Sequence, residues 1–239
     1  MKISHTHFYS FGTLFQADSD NEAGKLSAAL IQDSLIKEGA LLLRGFFNRL
    51  EDFDAFSRRL PCTFMIHGAP VRKKVSADGY IQTVTEGLAK IVLHSEMHFS
   101  PISPDILFFY CEKAPTKGGE TTLGDGCAFY EKLSPKHKTL LQKNRLKYWN
   151  AWPESTWRTY FPTQNKEEIL TTMKKMGALA EFSGDELEFE FCISAFGGDK
   201  ESPCFANGIS IHEQYQNSHK LFHIAGDEKK TTRHLSRGW

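Results

Sequence analysis

Residues 90–99, Lys-Ile-Val-Leu-His-Ser-Glu-Met-His-Phe, constrain this chain more than any other stretch. Polar and apolar side chains alternate there with period two, which predicts a strand. On a strand, Ile91, Leu93, Met97 and Phe99 share one face and Val92, His94, Glu96 and His98 the other. An imidazole and a carboxylate then stand side by side, the arrangement a facial divalent-metal site needs. Two histidines and one carboxylate leave positions open for a bidentate oxoacid and for dioxygen. The tripeptide alone is equally compatible with an ordinary polar strand face, with Met97 and Phe99 packed inward. His98 lies on the same face, as a pocket residue, a competing ligand or a plain strand-end histidine.

Short punctuated segments surround it. Asp20 to Glu38 carries Leu26, Ala29, Leu30, Ile31, Leu35 and Ile36 at helical spacing, and Gly39 stops it. Ala40 to Phe46 reads as a buried strand, with Arg44 in a structural salt bridge at its end, since a charge there needs a partner. Leu50 to Leu60 is helical through Phe53, Phe56 and Leu60. Pro104 to Cys111 is a nearly all-apolar strand, and Glu120 to Asp125 a short one after the Gly118-Gly119 turn. Residues 127–145 and Lys166 to Met176 read as helices, and Leu187 to Ala195 as a strand. With no repeat and no linker, the 239 residues form one domain, 1–239.

Lys plus Arg and Asp plus Glu number 29 each, so no net charge favours nucleic acid or an anionic membrane. The N-terminus lacks the apolar core of a signal peptide, and no apolar run is long enough to cross a bilayer. The five cysteines (62, 111, 127, 192 and 204) contain no CxxC pair and are odd in number. Reduced cytoplasmic thiols are therefore expected rather than a disulfide framework or a zinc site.

Four segments occur in a telling order: Gly39-Ala-Leu-Leu-Leu-Arg-Gly-Phe46, His94-Ser-Glu96, Pro104-Asp-Ile-Leu-Phe-Phe-Tyr-Cys111 and Gly118-Gly-Glu-Thr-Thr-Leu-Gly-Asp125. The ordered set resembles the taurine dioxygenase (TauD/TfdA) family, especially its clavaminate synthase-like and SyrP-like branches, from about Gly39 to about Asn207. The resemblance implies an α+β, mainly β fold: a double-stranded β-helix (jelly roll) with flanking helices and a helical insert. It also implies iron(II), with 2-oxoglutarate and dioxygen as co-substrates. His94 and Glu96 match the first two iron ligands, and Thr121 the threonine that bonds a 2-oxoglutarate carboxylate. On spacing alone, Thr121 is simply a strand residue after a diglycine turn. Because Glu96 leaves no ligand position for chloride, hydroxylation or desaturation is implied rather than halogenation.

The resemblance also requires a distal histidine, followed by an arginine whose planar fork suits the far carboxylate of 2-oxoglutarate. His212, His219, His223 and His234 are the candidates. His223 is preferred, because Arg233 and Arg237 lie ten and fourteen residues beyond it and the closing residues resemble a terminal strand of the family. Asn217 would stand just upstream, where the family often has an Asp-Asn pair. A second alignment stays open. No W-x-x-G-D strand precedes His223, and Cys204-Phe-Ala-Asn-Gly208 resembles a SyrP-like segment that normally lies far before the distal histidine. On that alignment the domain is C-terminally incomplete and lacks both the histidine and its arginine.

Trp149, Trp152 and Trp157, with Tyr160 and Phe161, read first as core and second as a lid over the active site. Lys174-Lys175 and Lys229-Lys230 read as solvated faces. The expected protein is a cytoplasmic hydroxylase of a small amino-acid-derived or natural-product substrate, free or tethered to a carrier protein. No nucleic-acid or membrane partner is expected, and nothing sets an oligomeric state. The alternatives are a non-catalytic or truncated jelly-roll paralogue acting as a binding module, and a zinc-dependent hydrolase using the same ligands.

Overall fold

The computed structural model describes residues 4–7, 11–18, 22–67, 72–84, 91–210 and 222–225. They divide into two compact units, one within Met1–Phe64 and Ile106–Asp125, the other within Met65–Asp105 and Gly126–Trp239.

In the first unit, strands β1 (Ser4–His7), β2 (Thr13–Gln16) and β3 (Leu41–Arg44) form a sheet in that order. β1 runs antiparallel to β2, whereas β2 and β3 are parallel. A parallel pair needs a crossover, which helix α1 (Ala28–Glu38) supplies. The expected single helix from Asp20 is instead a 3₁₀ turn, Glu22–Lys25, followed by α1. Ser27 starts α1 because its hydroxyl accepts the Leu30 amide at 3.1 Å, satisfying a donor the helix leaves orphaned. Gly39 ends it at φ 73°, as its position predicts. Helix α2 (Leu50–Ser57) completes a core of Phe15, Leu26, Ile31, Phe46, Phe56 and Leu60, against which Phe108 packs.

Two expected strands are absent. Pro104 to Cys111 and Glu120 to Asp125 run through this part of the chain without strand structure. Apolar composition is not enough for a strand without a neighbour for its backbone groups, and here Phe108 packs while Ile106, Leu107 and Phe109 are exposed. The Gly118-Gly119 turn does form, with φ 73° and 77°. A Cβ on Gly119 would lie 2.8 Å from Pro115 Cγ, so glycine is required there. The Arg44 salt bridge is also absent: its side chain is exposed at the end of β3, and no ion pair to a described residue forms.

The second unit is built on an antiparallel sheet of order β5-β6-β4-β9. Its strands are β4 (Arg145–Trp152), β5 (Ala178–Ser183), β6 (Glu186–Ile193) and β9 (Phe222–Ala225). A small hairpin pairs β7 (Phe196–Gly198) with β8 (Pro203–Phe205). The expected helix over 127–145 is two, α3 (Gly126–Lys132) and α4 (Pro135–Lys143). Ser134 caps the second and Pro135 opens it, which prevents one continuous helix. Helices α5 (Glu154–Tyr160) and α6 (Lys166–Lys175) close over the sheet's core.

β4 alternates strictly, burying Leu146, Tyr148, Asn150 and Trp152. Trp152, Trp157 and Phe161 sit in the core with Ile169, Met173, Leu187 and Phe189, as the core reading of the aromatic segment expects. Trp157 is 0% exposed, and its indole N–H donates to the Asp185 carbonyl at 2.8 Å. Lys174 and Lys175 are exposed as expected, while Lys229 and Lys230 lie outside the described residues.

One cysteine expectation is overturned. Cys127 of α3 and Cys204 of β8 are disulfide-bonded, and Cys62, Cys111 and Cys192 are free. The pair is separated by 77 residues, so local spacing could not reveal it. Among the described residues no helix is long and apolar enough to cross a membrane.

Trp157→Ala removes the largest fully buried side chain and its indole donor. It is expected to cost about 3–5 kcal/mol in urea unfolding of the full chain.

Candidate metal centre

His94 and Glu96 do not sit on a strand. Residues 91–95 have no regular secondary structure and no ladder partner, and the chain turns over Glu96 to Phe99. The expected faces fail with the strand: Ile91 and Leu93 are 42% and 56% exposed, whereas Met97 is 1% exposed. Met97 has φ 54°, the one described non-glycine residue with positive φ. For an L-residue that conformation costs about 1–2 kcal/mol. Burying a methionine side chain returns about 1.5–3 kcal/mol, so the turn holds while Met97 is inside.

Polar contacts fix the segment from both ends. The Ser95 amide, between the two candidate ligands, donates to the Asn207 carbonyl at 3.0 Å. Asn207 is buried and donates through its own side chain to the Ala195 carbonyl at 3.1 Å. Beyond the turn, the Phe99 carbonyl accepts from Asn150 Nδ2 at 2.9 Å, which ties it to β4. Tyr148, two residues away on the same face of β4, accepts the Gly208 amide at 3.4 Å, and burial raises its phenol to about 12.

The donor atoms have definite roles. His94 Nδ1 lies 2.8 Å from the Val92 carbonyl, which can only accept, so Nδ1 carries the proton. In the neutral ring the lone pair is then on Nε2, 4.0 Å from Glu96 Oε2. Burial pushes the Glu96 carboxyl up, but the hydrogen bond from His67 and the positive charge of Arg72, and of His67 and His94 when protonated, outweigh it. Glu96 therefore sits below the usual carboxylate range and is ionised at neutral pH. An imidazole lone pair facing a carboxylate oxygen is a donor set that fits a borderline divalent ion. Burial alone lowers His98 below the ordinary imidazole range.

Two residues here escaped sequence analysis. His67 Nε2 is 2.8 Å from Glu96 Oε1, and Arg72 Nη2 is 3.6 Å from Oε2. Neither carries a local spacing signal; folding alone brings them to Glu96. Thr121 lies in the first unit, exposed on a segment without strand or helix structure. His223 is on β9, where its backbone pairs with Lys147 of β4. Arg233, Arg237, His212, His219, His234 and Asn217 lie outside the described residues. Among the described residues no group of three His, Cys, Asp or Glu side chains is arranged to hold a metal ion.

The chain matches the taurine catabolism dioxygenase TauD, TfdA family over residues 7–236, and it belongs to that family. It is 26% identical over 161 residues to the dapdiamide synthesis protein DdaC of Enterobacter agglomerans, covering 65% of this chain and 49% of that protein. It is 34% identical over 115 residues to a clavaminate synthase-like protein of Arabidopsis thaliana, covering 46% of this chain and 35% of that one. The matched stretches thus span half or less of the length of these curated relatives. No solved structure matches the chain.

Asn150→Ala deletes the donor that holds the Phe99 carbonyl. Urea unfolding should show a loss of about 1–3 kcal/mol, accompanied by weaker divalent-metal binding as the turn bearing Glu96 loosens.

Proposed function

We propose that this protein is an iron(II)- and 2-oxoglutarate-dependent oxygenase that hydroxylates a small amino-acid-derived or natural-product substrate. The observation that carries the reading is the paired state of the two candidate ligands: Nδ1 of His94 is occupied by a carbonyl, and ionised Glu96 lies beside Nε2. Family membership supplies the context in which that pair makes chemical sense.

In this reading His94 Nε2 and a Glu96 oxygen bind the iron, and His223 supplies the third ligand. Thr121 binds a 2-oxoglutarate carboxylate, and Arg233 or Arg237 its distal carboxylate. The cofactor, once bound, supplies oxidative decarboxylation of 2-oxoglutarate and the oxidant that attacks a substrate C–H bond. This chain's residues bind and orient. The Val92 carbonyl fixes the His94 tautomer, and the Asn207–Ser95 bond sets the spacing between the ligands. We read residues 1–239 as one domain whose strands belong to the family's double-stranded β-helix. The dapdiamide synthesis name of one relative favours a natural-product intermediate, free or carrier-tethered, as substrate.

The full chain should release succinate from 2-oxoglutarate only when iron(II) is present, and His94→Ala should abolish release. Turnover that persists without iron, or in the variant, contradicts the oxygenase reading. His223→Ala is expected to weaken iron binding at least about tenfold in anaerobic equilibrium dialysis, since loss of even an outer-shell partner costs roughly 10–100-fold. An unchanged affinity removes His223 from the ligand set.

A further inference from the structure

The hydrogen bond between His67 and Glu96 distinguishes the two carboxylate oxygens. A carboxylate oxygen accepts and a ring N–H donates, so His67 gives its Nε2–H to Glu96 Oε1 at 2.8 Å. The His67 main chain is held too, because its carbonyl accepts from Gln82 Nε2 at 3.0 Å. Oε2 is the oxygen left toward His94 Nε2, at 4.0 Å. Arg72 Nη2 is 3.6 Å from the same oxygen, a Coulomb contact beyond hydrogen-bond distance. Both side chains of the His67–Glu96 pair are mostly buried, at 21% and 16% exposure, which keeps competing water from the bond.

We propose that His67 is a positioning residue for the metal carboxylate: its Nε2–H holds Oε1 so that Oε2 alone faces the ion beside His94 Nε2. The inference rests on the metal-site reading above and deepens it. A carboxylate free to rotate can close on a cation with both oxygens and occupy two coordination positions. Held by one oxygen it occupies a single position and leaves more of the coordination sphere for ligands from outside the protein. The same bond lowers the entropy lost when the carboxylate is ordered onto the ion, so it raises affinity as well. With Nε2–H given to Glu96, the lone pair of a neutral His67 ring lies on Nδ1, on the ring edge turned away from that carboxylate, so His67 offers no lone pair to an ion that Glu96 holds. Arg72 makes no hydrogen bond to the ligand oxygen, and an incoming cation displaces only its electrostatic contact.

The test uses Co(II) as the probe on the full chain, reading equilibrium affinity and ligand-field absorption, with circular dichroism to confirm folding. Wild type is compared with His67→Ala, His67→Gln and His94→Ala. His67→Ala is expected to bind Co(II) about 10–100-fold more weakly and to show a changed absorption spectrum. Glutamine places an amide N–H near the position of Nε2, so His67→Gln should recover most of the affinity and the wild-type spectrum. Unchanged affinity and spectrum in His67→Ala overturn the proposal. So does a loss in both His67 variants as large as in His94→Ala, which makes His67 a ligand. If the wild-type chain binds no Co(II), the metal-site reading fails, and the role of His67 fails with it.

Discussion

The Ser95 amide gives its hydrogen to the Asn207 carbonyl, and the arrangement of the candidate site depends on that bond. His94 and Glu96 flank Ser95, and no ladder partner supports them. In a sheet, several backbone bonds would share the work of setting their separation. Here the Ser95–Asn207 bond, the Asn150–Phe99 bond and a buried methionine in a left-handed conformation hold the segment. Asn207 can play this part because its own side chain is satisfied at both ends. Nδ2 donates to Ala195, and Oδ1 accepts the Ile209 amide. A buried amide with unmet hydrogen bonds would move to find partners; a satisfied one is a fixed point.

Behind this segment stands β4, and its inward face links core to site. Leu146, Tyr148, Asn150 and Trp152 all point inward. Trp152 joins the aromatic core, where it stacks on Tyr160 with centroids 4.7 Å apart. Asn150 reaches Phe99, and Tyr148 reaches Gly208. One strand therefore couples the packing of the second unit to both ends of the turn that carries the candidate ligands. The Cys127–Cys204 bond adds a covalent tie at β8, three residues before Asn207.

How much of this was legible follows from where each signal lies. His94 and Glu96 stand out as candidate ligands in the sequence because the motif is local and its neighbours occur in a family order. Their backbone was not legible: the alternation of Ile91 to Phe99 satisfies a strand pattern, but a strand also needs a neighbour, which single-sequence periodicity cannot supply. The same reason removes the expected strands at Pro104 to Cys111 and Glu120 to Asp125. β4 hid for the opposite reason. Its period-two face was present, but Asn150 in the middle of it disguised an apolar pattern. The break between α3 and α4 could have been read from Ser134-Pro135, a cap and an N1 proline inside a helical period. His67 and the Cys127–Cys204 pair left no local trace, since tertiary contact alone creates them.

The proposed site makes His94 and Glu96 ligands of one metal ion. Anaerobic calorimetric titration of iron(II) into the full chain tests it most directly, with Glu96→Ala titrated alongside and its fold checked by circular dichroism. Shared ligation gives one saturable site per chain in the wild type and its loss in the variant. Superimposable isotherms for the two proteins would contradict it.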